Sequence, residues 1–289
     1  MPAELIFNVA VGGVLTGLVY GLMALGLSVI FGVVRVVNFA HGEMMTLGMY
    51  AAVVLFGSLG LDPLLMLVPV AAALFVIGYI LQSTLINPFV NRPEHSQFML
   101  LVAVAMIMVN GLLMIFGPNA RNTLVSYALD SYQVGPLIID AVRLYAAVAA
   151  MAVALALFAF FKLTPTGKAI RACADNYLGA QVVGLNVKRL YAFTFGVGAA
   201  CVGAAGCIMV LLIDVTPQIG PAYTLLAFVI VIVGGLGSMP GALLGGILIG
   251  LSEAMAGLFF VPSAKGMFAF AILVLVLLLR PQGLLGKKA

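Results

Sequence analysis

Residues 162–190, KLTPTGKAIRACADNYLGAQVVGLNVKRL, are the one long polar interruption in a chain of 289 residues that is otherwise nearly all apolar. Five of the thirteen Lys and Arg residues lie in it (Lys162, Lys168, Arg171, Lys188 and Arg189), which makes it the basic hub of the sequence. Thr164-Pro165-Thr166 reads as a helix start, a hydroxyl N-cap followed by proline in the first turn, and Gly184 with Asn186 reads as its stop. The expected product is one helix of about five turns. Lys168, Arg171 and Asp175 share one face of it, and Ile170, Cys173, Tyr177 and Ala180 line the other. Such an amphipathic segment serves as an interfacial helix on lipid headgroups, as a solvated linker face, or as a docking helix pressed against another protein.

Outward from that hub the chain is oil. Hydrophobic residues make up 64% and charged residues 8%, and mean hydropathy is +1.26. Soluble domains carry about a quarter charged residues, so that class is excluded. The apolar runs are continuous and about twice the ten or so alternating residues of a barrel strand, which excludes a transmembrane β-barrel. The composition therefore predicts an all-α, polytopic transmembrane helical bundle, with residues 1–289 as a single transmembrane domain carrying a polar loop at 162–190. The start, MPAELIFN, has Glu4 and no basic residue before the first apolar run, so that run reads as a retained span rather than a signal peptide. Cys173, Cys201 and Cys207 show no CxxC spacing, which points to packing residues rather than a disulfide or a metal site. The net charge of +4 is small and scattered, which argues against a nucleic-acid partner.

Apolar runs fall at 8–31, 44–59, 64–86, 97–116, 144–161 and 191–213, then in a broken pair at 222–235 and 241–257, and last at 266–279. Because about 20 residues cross a bilayer, this is an eight- or nine-span chain. With nine spans and the N-terminus outside, Arg35, Arg92, Lys162, Lys168, Arg171, Lys188, Arg189, Arg280, Lys287 and Lys288 are cytoplasmic, and only Arg121, Arg143 and Lys265 are external. That asymmetry puts the polar loop and the C-terminus in the cytoplasm. The longest external connection, GPNARNTLVSYALDSYQVGPLIIDAVR (117–143), suits a hairpin or a short surface helix.

Non-helical backbone at membrane depth is tolerated only under protein or beside a water-filled cavity, so breaks in apolar runs carry information. VVNFAHGEMMTLG sets Asn38, His41 and Glu43 between two runs, and VGGLGSMPGALLGG places Gly234, Gly235, Gly237, Ser238, Pro240 and Gly241 between two others. One interruption in each half is the pattern of a transporter with internal repeats, of which the inverted repeat is one form. The breaks read either as a pathway or gate lining, or as an ordinary turn and a close helix contact. Asn110 and Glu253 also fall within spans, where such groups are expected to face the bundle interior.

Several chemistries are missing. His41 and Glu43 do not form HExxH, and residues two apart point to different helix faces. Both histidines, His41 and His95, precede Ser238, and no third triad member presents itself. Thr166-Gly167-Lys168-Ala169 lacks the upstream glycine and the hydroxyl of a P-loop, so ATP-driven transport requires a separate motor polypeptide.

Four separated motifs occur in order: NFAHGEMMTLGMY (38–50), TPTGKAIRACADNYLGAQVVGLN (164–186), GGLGSMPGALLGG (234–246) and RPQGLLG (280–286). Together they resemble the permease subunit of branched-chain amino acid ABC importers, from about Leu15 to Gly286. The resemblance implies a bacterial inner-membrane machine of two related permeases, two cytoplasmic ATPases that bind the ATP, and a periplasmic binding protein, with no cofactor held by the permease itself. It implies that residues 162–190 couple to an ATPase, with Lys168, Arg171 and Asp175 at the contact and Gly179, Gly184 and Asn186 shaping the helix and its end. It carries over Asn38, His41, Glu43, Gly237, Ser238 and Pro240 as pathway or gate positions. Related permeases look similar while serving urea, short amides or aromatic acids. From another class, an ion-gradient-driven transporter calls for intramembrane acid-base pairs, yet Glu43 and Glu253 have no evident basic partner in the spans. A non-transporting scaffold explains the spans but neither the breaks nor the loop.

Overall fold

A computed structural model of the protein describes residues 3–90, 92–260 and 265–286. In chain order its helices are α1 (Ala3–Val34), α2 (His41–Leu59), α3 (Leu67–Leu81), α4 (Glu94–Phe116), α5 (Ala141–Leu163), α6 (Pro165–Asp175), α7 (Tyr177–Val182), α8 (Val187–Met209), α9 (Gly220–Gly234), α10 (Met239–Phe259) and α11 (Lys265–Leu279). Seven apolar helices are long enough to cross a membrane, and two shorter ones, in α9 and α11, accompany them. All nine apolar runs of the sequence are thus helical, and the broken pair resolves into α9 and α10 around a turn at 235–238. The long connection contains a hairpin, β1 (Ser131–Val134) paired antiparallel with β2 (Leu137–Asp140). Gly135, at a φ of +62, makes its turn.

The helices start where local chemistry favours it. Asp140 caps α5 by accepting from the Val142 amide at 2.9 Å, Thr164 caps α6 through Gly167 N at 3.0 Å, and Ser238 caps α10 through Gly241 N at 3.2 Å. The α3 run widens at its end into a π-turn over Gln82–Ile86 and then tightens into a 3₁₀ turn over Asn87–Phe89.

The core lies along α1 and α8, whose most apolar stretches are 78% and 83% buried, against 17% for α4 at the periphery. Small residues let the central helices approach. Gly13, Gly17 and Gly21 of α1 meet Gly246 and Gly250 of α10 in an antiparallel seam; a Cβ on Gly17 would stand 2.7 Å from the Gly246 carbonyl oxygen. Lipid tails are as apolar as the helices, so close backbone packing of this kind supplies the attraction that water supplies in a soluble core.

The bundle has two distinct ends. At one, Asn8 donates to the Pro136 carbonyl, Arg121 bridges to Val215 and Arg143 lies beside Gly12. At the other, Asn87 donates to the Lys188 carbonyl, and Arg35 and Arg171 line one cavity with Pro281. The basic residues therefore sort as the charge tally expects, and the second of these ends is called the basic end below. Lys287, Lys288 and the side chain of Lys265, also used in that tally, lie outside the described residues.

Candidate functional site

The polar hub forms two short helices rather than one of five turns. Asn176 breaks the run: it leaves helical geometry at φ −149°, ψ 97°, and its Oδ1 accepts from Gly179 N at 2.9 Å, so it starts α7 instead of continuing α6. The break resets the helical phase. Ile170, Cys173 and Ala180 are buried as the amphipathic pattern expects, but Tyr177, now at the first position of α7, turns outward. Asn186 does not end the preceding helix; its side chain accepts from Arg189 N at 3.1 Å and caps α8. Gly184 supplies the left-handed turn before it, at φ +84. Lys168, Arg171, Asp175 and Gly184 are exposed, and Gly179 is half-buried.

The α7 surface also exposes Leu178, Val182 and Val183, the last two at 88% and 75%. These apolar side chains project from the most polar segment of the chain. The helix-face reading passed over them because it followed charges; the signal was the Val182-Val183 pair directly before a turn glycine.

The first break folds back into the bundle. His41 Nε2 donates to the Met23 carbonyl at 2.9 Å, about 16 Å from the end of α1. Residues 35–40 thus return from the basic end to the interior before α2 begins. There the Gly42 amide donates to Thr224 Oγ1 at 2.8 Å, and Thr224 donates to Glu43 Oε2 at 3.1 Å, tying α2 to α9. Asn38 Oδ1 accepts from Ala40 N at 3.1 Å and shapes the turn. Phe39 packs between Phe98 and Phe228, at centroid distances of 4.6 and 5.2 Å. Asn38, His41 and Glu43 are at most 2% exposed, so they form a buried polar knot between helices. Thr224, its fourth member, gave no signal in the sequence because a threonine inside an apolar run is ordinary.

The second break lies elsewhere. Gly237, Ser238 and Pro240 line a cavity of about 1050 Å³ at the basic end, together with Ser28 and Arg35 of the first half and Arg171 and Asp175 of α6. The structure therefore joins the second break to the polar loop and leaves the first inside the bundle. The terminal RPQGLLG motif belongs to this region: Leu284 N donates to the Val233 carbonyl and Leu285 N to the Gly234 carbonyl, each at 2.9 Å. The tail thereby satisfies carbonyls that the end of α9 leaves without a helical partner.

Asn110 departs from expectation. It sits on the outward face of α4, exposed, with Nδ2 donating to the Met106 carbonyl at 2.8 Å, because α4 packs on the bundle by its Leu101–Ala105–Leu112 edge. Glu253 is half-buried and hydrogen-bonds Tyr20, whose ring meets that of Tyr223 at 6.5 Å. The three cysteines are buried and free, and burial pushes the Cys173 thiol up. Among the described residues, no three His, Cys, Asp or Glu side chains are grouped to hold a metal ion.

Apolar helices of spanning length, a backbone segment that re-enters the bundle, and a cavity beside an extramembrane helix pair define a multi-pass helical membrane protein of transporter architecture. The family of branched-chain amino acid transport system permease components matches residues 9–277, and the chain belongs to it. BraD of Pseudomonas aeruginosa, a high-affinity branched-chain amino acid transport system permease protein, is 32% identical over 292 residues, covering 96% of this chain and 94% of that protein. LivH of Salmonella typhimurium, similarly described, is 31% identical, covering 95% and 94%. A probable branched-chain amino acid transport permease, LivH of Methanocaldococcus jannaschii, is 26% identical, covering 92% and 88%. No solved structure matches significantly. Members of this family are transport subunits rather than enzymes.

Proposed function

We propose that this chain is the membrane-spanning subunit of an ATP-driven importer for branched-chain amino acids. It works with a second permease, two cytoplasmic ATPases that bind and hydrolyse ATP, and a periplasmic protein that delivers the ligand. The protein sits in the bacterial inner membrane with the basic end and C-terminus in the cytoplasm, in line with the sorting of Lys and Arg. The observation that carries this reading is the α6–α7 pair. It is anchored by Ile170, Cys173 and Ala180, yet presents Leu178, Val182 and Val183 away from the bundle.

Apolar side chains at the tip of a polar extramembrane loop suit a protein groove. Lys168, Arg171 and Asp175 flank that contact, and Gly179, Gly184 and Asn186 set the shape of its end. Because α6 shares a cavity with Gly237, Ser238 and Pro240, displacement of the loop by an ATPase moves a wall of that cavity. In this reading the second break acts as the gate, and the knot of Asn38, His41 and Glu43 is the pivot that holds α2 to α9. The outward Asn110 favours a protein neighbour on α4, since an amide there is better covered by a second permease than by lipid.

The test is affinity purification of the chain from solubilised membranes, followed by an ATPase assay with binding protein and leucine, urea or aromatic acids. Co-purified ATPases stimulated by leucine-loaded binding protein support the reading. A chain that emerges without any ATPase contradicts it.

A further inference from the structure

The cavity at the basic end has a chemistry that gating does not require. Two guanidiniums, Arg35 and Arg171, line it, and Asp175 is its one acidic residue. Among the described residues neither arginine makes an ion pair. Arg35 holds a φ of +58, the one positive φ outside glycine in the described chain. A bulky side chain held in that conformation is strained, and such strain concentrates at functional positions. The N-terminal end of α10 opens onto the same space through Ser238 and Met239, adding the positive end of a helix dipole. Ser28 also lines the cavity; the residue is 1% exposed, and its hydroxyl has no hydrogen-bond partner among the described residues. A buried donor without an acceptor is costly, so a ligand oxygen would complete it. Apolar walls from Phe161, Ile232 and Leu236 close the rest.

We propose that this cavity binds the carboxylate of a small apolar amino acid from the side of release, and that its occupancy slows the importer when product accumulates. Arg35 and Arg171 take the carboxylate in charge-assisted hydrogen bonds, Ser28 donates to it, and the apolar walls receive the side chain. Holding the ligand bridges α1 to α6 and so resists the displacement of the loop that transport requires. The inference rests on the importer reading only for its feedback part.

Binding is tested on the purified full-length chain by equilibrium dialysis with radiolabelled L-leucine. Competition by 4-methylpentanoate, which keeps the carboxylate, is compared with leucinol, which lacks it, and with phosphatidylglycerol micelles. Saturable binding displaced by 4-methylpentanoate but not by leucinol, and weakened about tenfold or more by Arg35→Gln, is the expected result. Ser28→Ala, which removes only a hydroxyl, repeats the comparison if Arg35→Gln does not fold. No saturable binding, equal displacement by leucinol, or unchanged affinity in the variant overturns the proposal. So does displacement by phosphatidylglycerol alone, which would assign the site to a lipid phosphate. In proteoliposomes of the whole complex, L-leucine preloaded on the release side should slow uptake several-fold in the wild type and not in Arg35→Gln; equal slowing in both removes the feedback role. Absence of any ATP-driven uptake counts against the importer and leaves the dialysis result to decide the site.

Discussion

At the scale of single residues, the polar knot around His41 and Glu43 leaves little room between α2 and α9. A Cβ on Gly42 would stand 2.6 Å from both the amide nitrogen and Oγ1 of Thr224, so Gly42→Ala forces α2 and α9 apart. Overpacking of that kind costs about 1–3 kcal/mol, and thermal unfolding in detergent should show a clear drop in midpoint. Thr224→Val, which leaves the Gly42 amide and the Glu43 carboxylate without this partner, should cost a similar ~1–3 kcal/mol. Cys173 gives a chemical check on the polar loop. Its thiol is buried and its pKa is raised by that burial, so the reactive thiolate is scarce at neutral pH. Maleimide should label it slowly in the folded chain and rapidly after denaturation. Fast labelling of the native protein would mean that α6 does not pack as described.

At the scale of elements, α7 is where shape matters more than charge. Fully burying a valine is worth about 1.5–3 kcal/mol, whereas an exposed ion pair contributes about 0–1 kcal/mol. Val182→Asp should therefore release the ATPases on purification, while Arg171→Ala should leave them bound. Deleting residues from Gly283 onward should lower the unfolding midpoint, because the Val233 and Gly234 carbonyls lose the Leu284 and Leu285 amides. Much of this was legible in the sequence. The nine apolar runs became nine helices because continuous hydrophobicity leaves the backbone no alternative in lipid, and Thr164 capped α6 because its hydroxyl precedes a proline. The break at Asn176 was not legible: an asparagine is neutral inside a helix until tertiary packing decides whether its side chain caps a new one. The burial of residues 38–43 also escaped, because a short polar run after a basic residue reads the same whether it stays at the surface or folds back. Asn110 misled for a related reason. A polar side chain within a span reads the same whether it faces the bundle or returns its hydrogen bond to its own helix, as Asn110 does to the Met106 carbonyl.

At the scale of the whole molecule, the two ends carry the account. Leu129, 98% exposed, lies on the connection at the hairpin end, and Val182, 88% exposed, lies at the basic end. The native cysteines are all buried, so a single new cysteine at either position can be read against a low background. An impermeant maleimide applied to intact spheroplasts that make the chain without partner ATPases should label Leu129→Cys, and should label Val182→Cys only after lysis; the reverse pattern would invert the topology and place the loop beyond reach of ATP.

The most direct measurement is ATP-dependent uptake of L-leucine by proteoliposomes containing this chain with its co-purified partners and binding protein, compared with the Gly184→Ile variant. Gly184 holds its left-handed turn at φ +84, a conformation strongly unfavourable for isoleucine, so the variant should reshape the end of α7 while the spans insert normally. The expected result is leucine accumulation driven by ATP in the wild type, and ATP hydrolysis without matching uptake in the variant. Coupled uptake that survives Gly184→Ile unchanged, or leucine movement that follows an ion gradient and ignores ATP, would contradict the account.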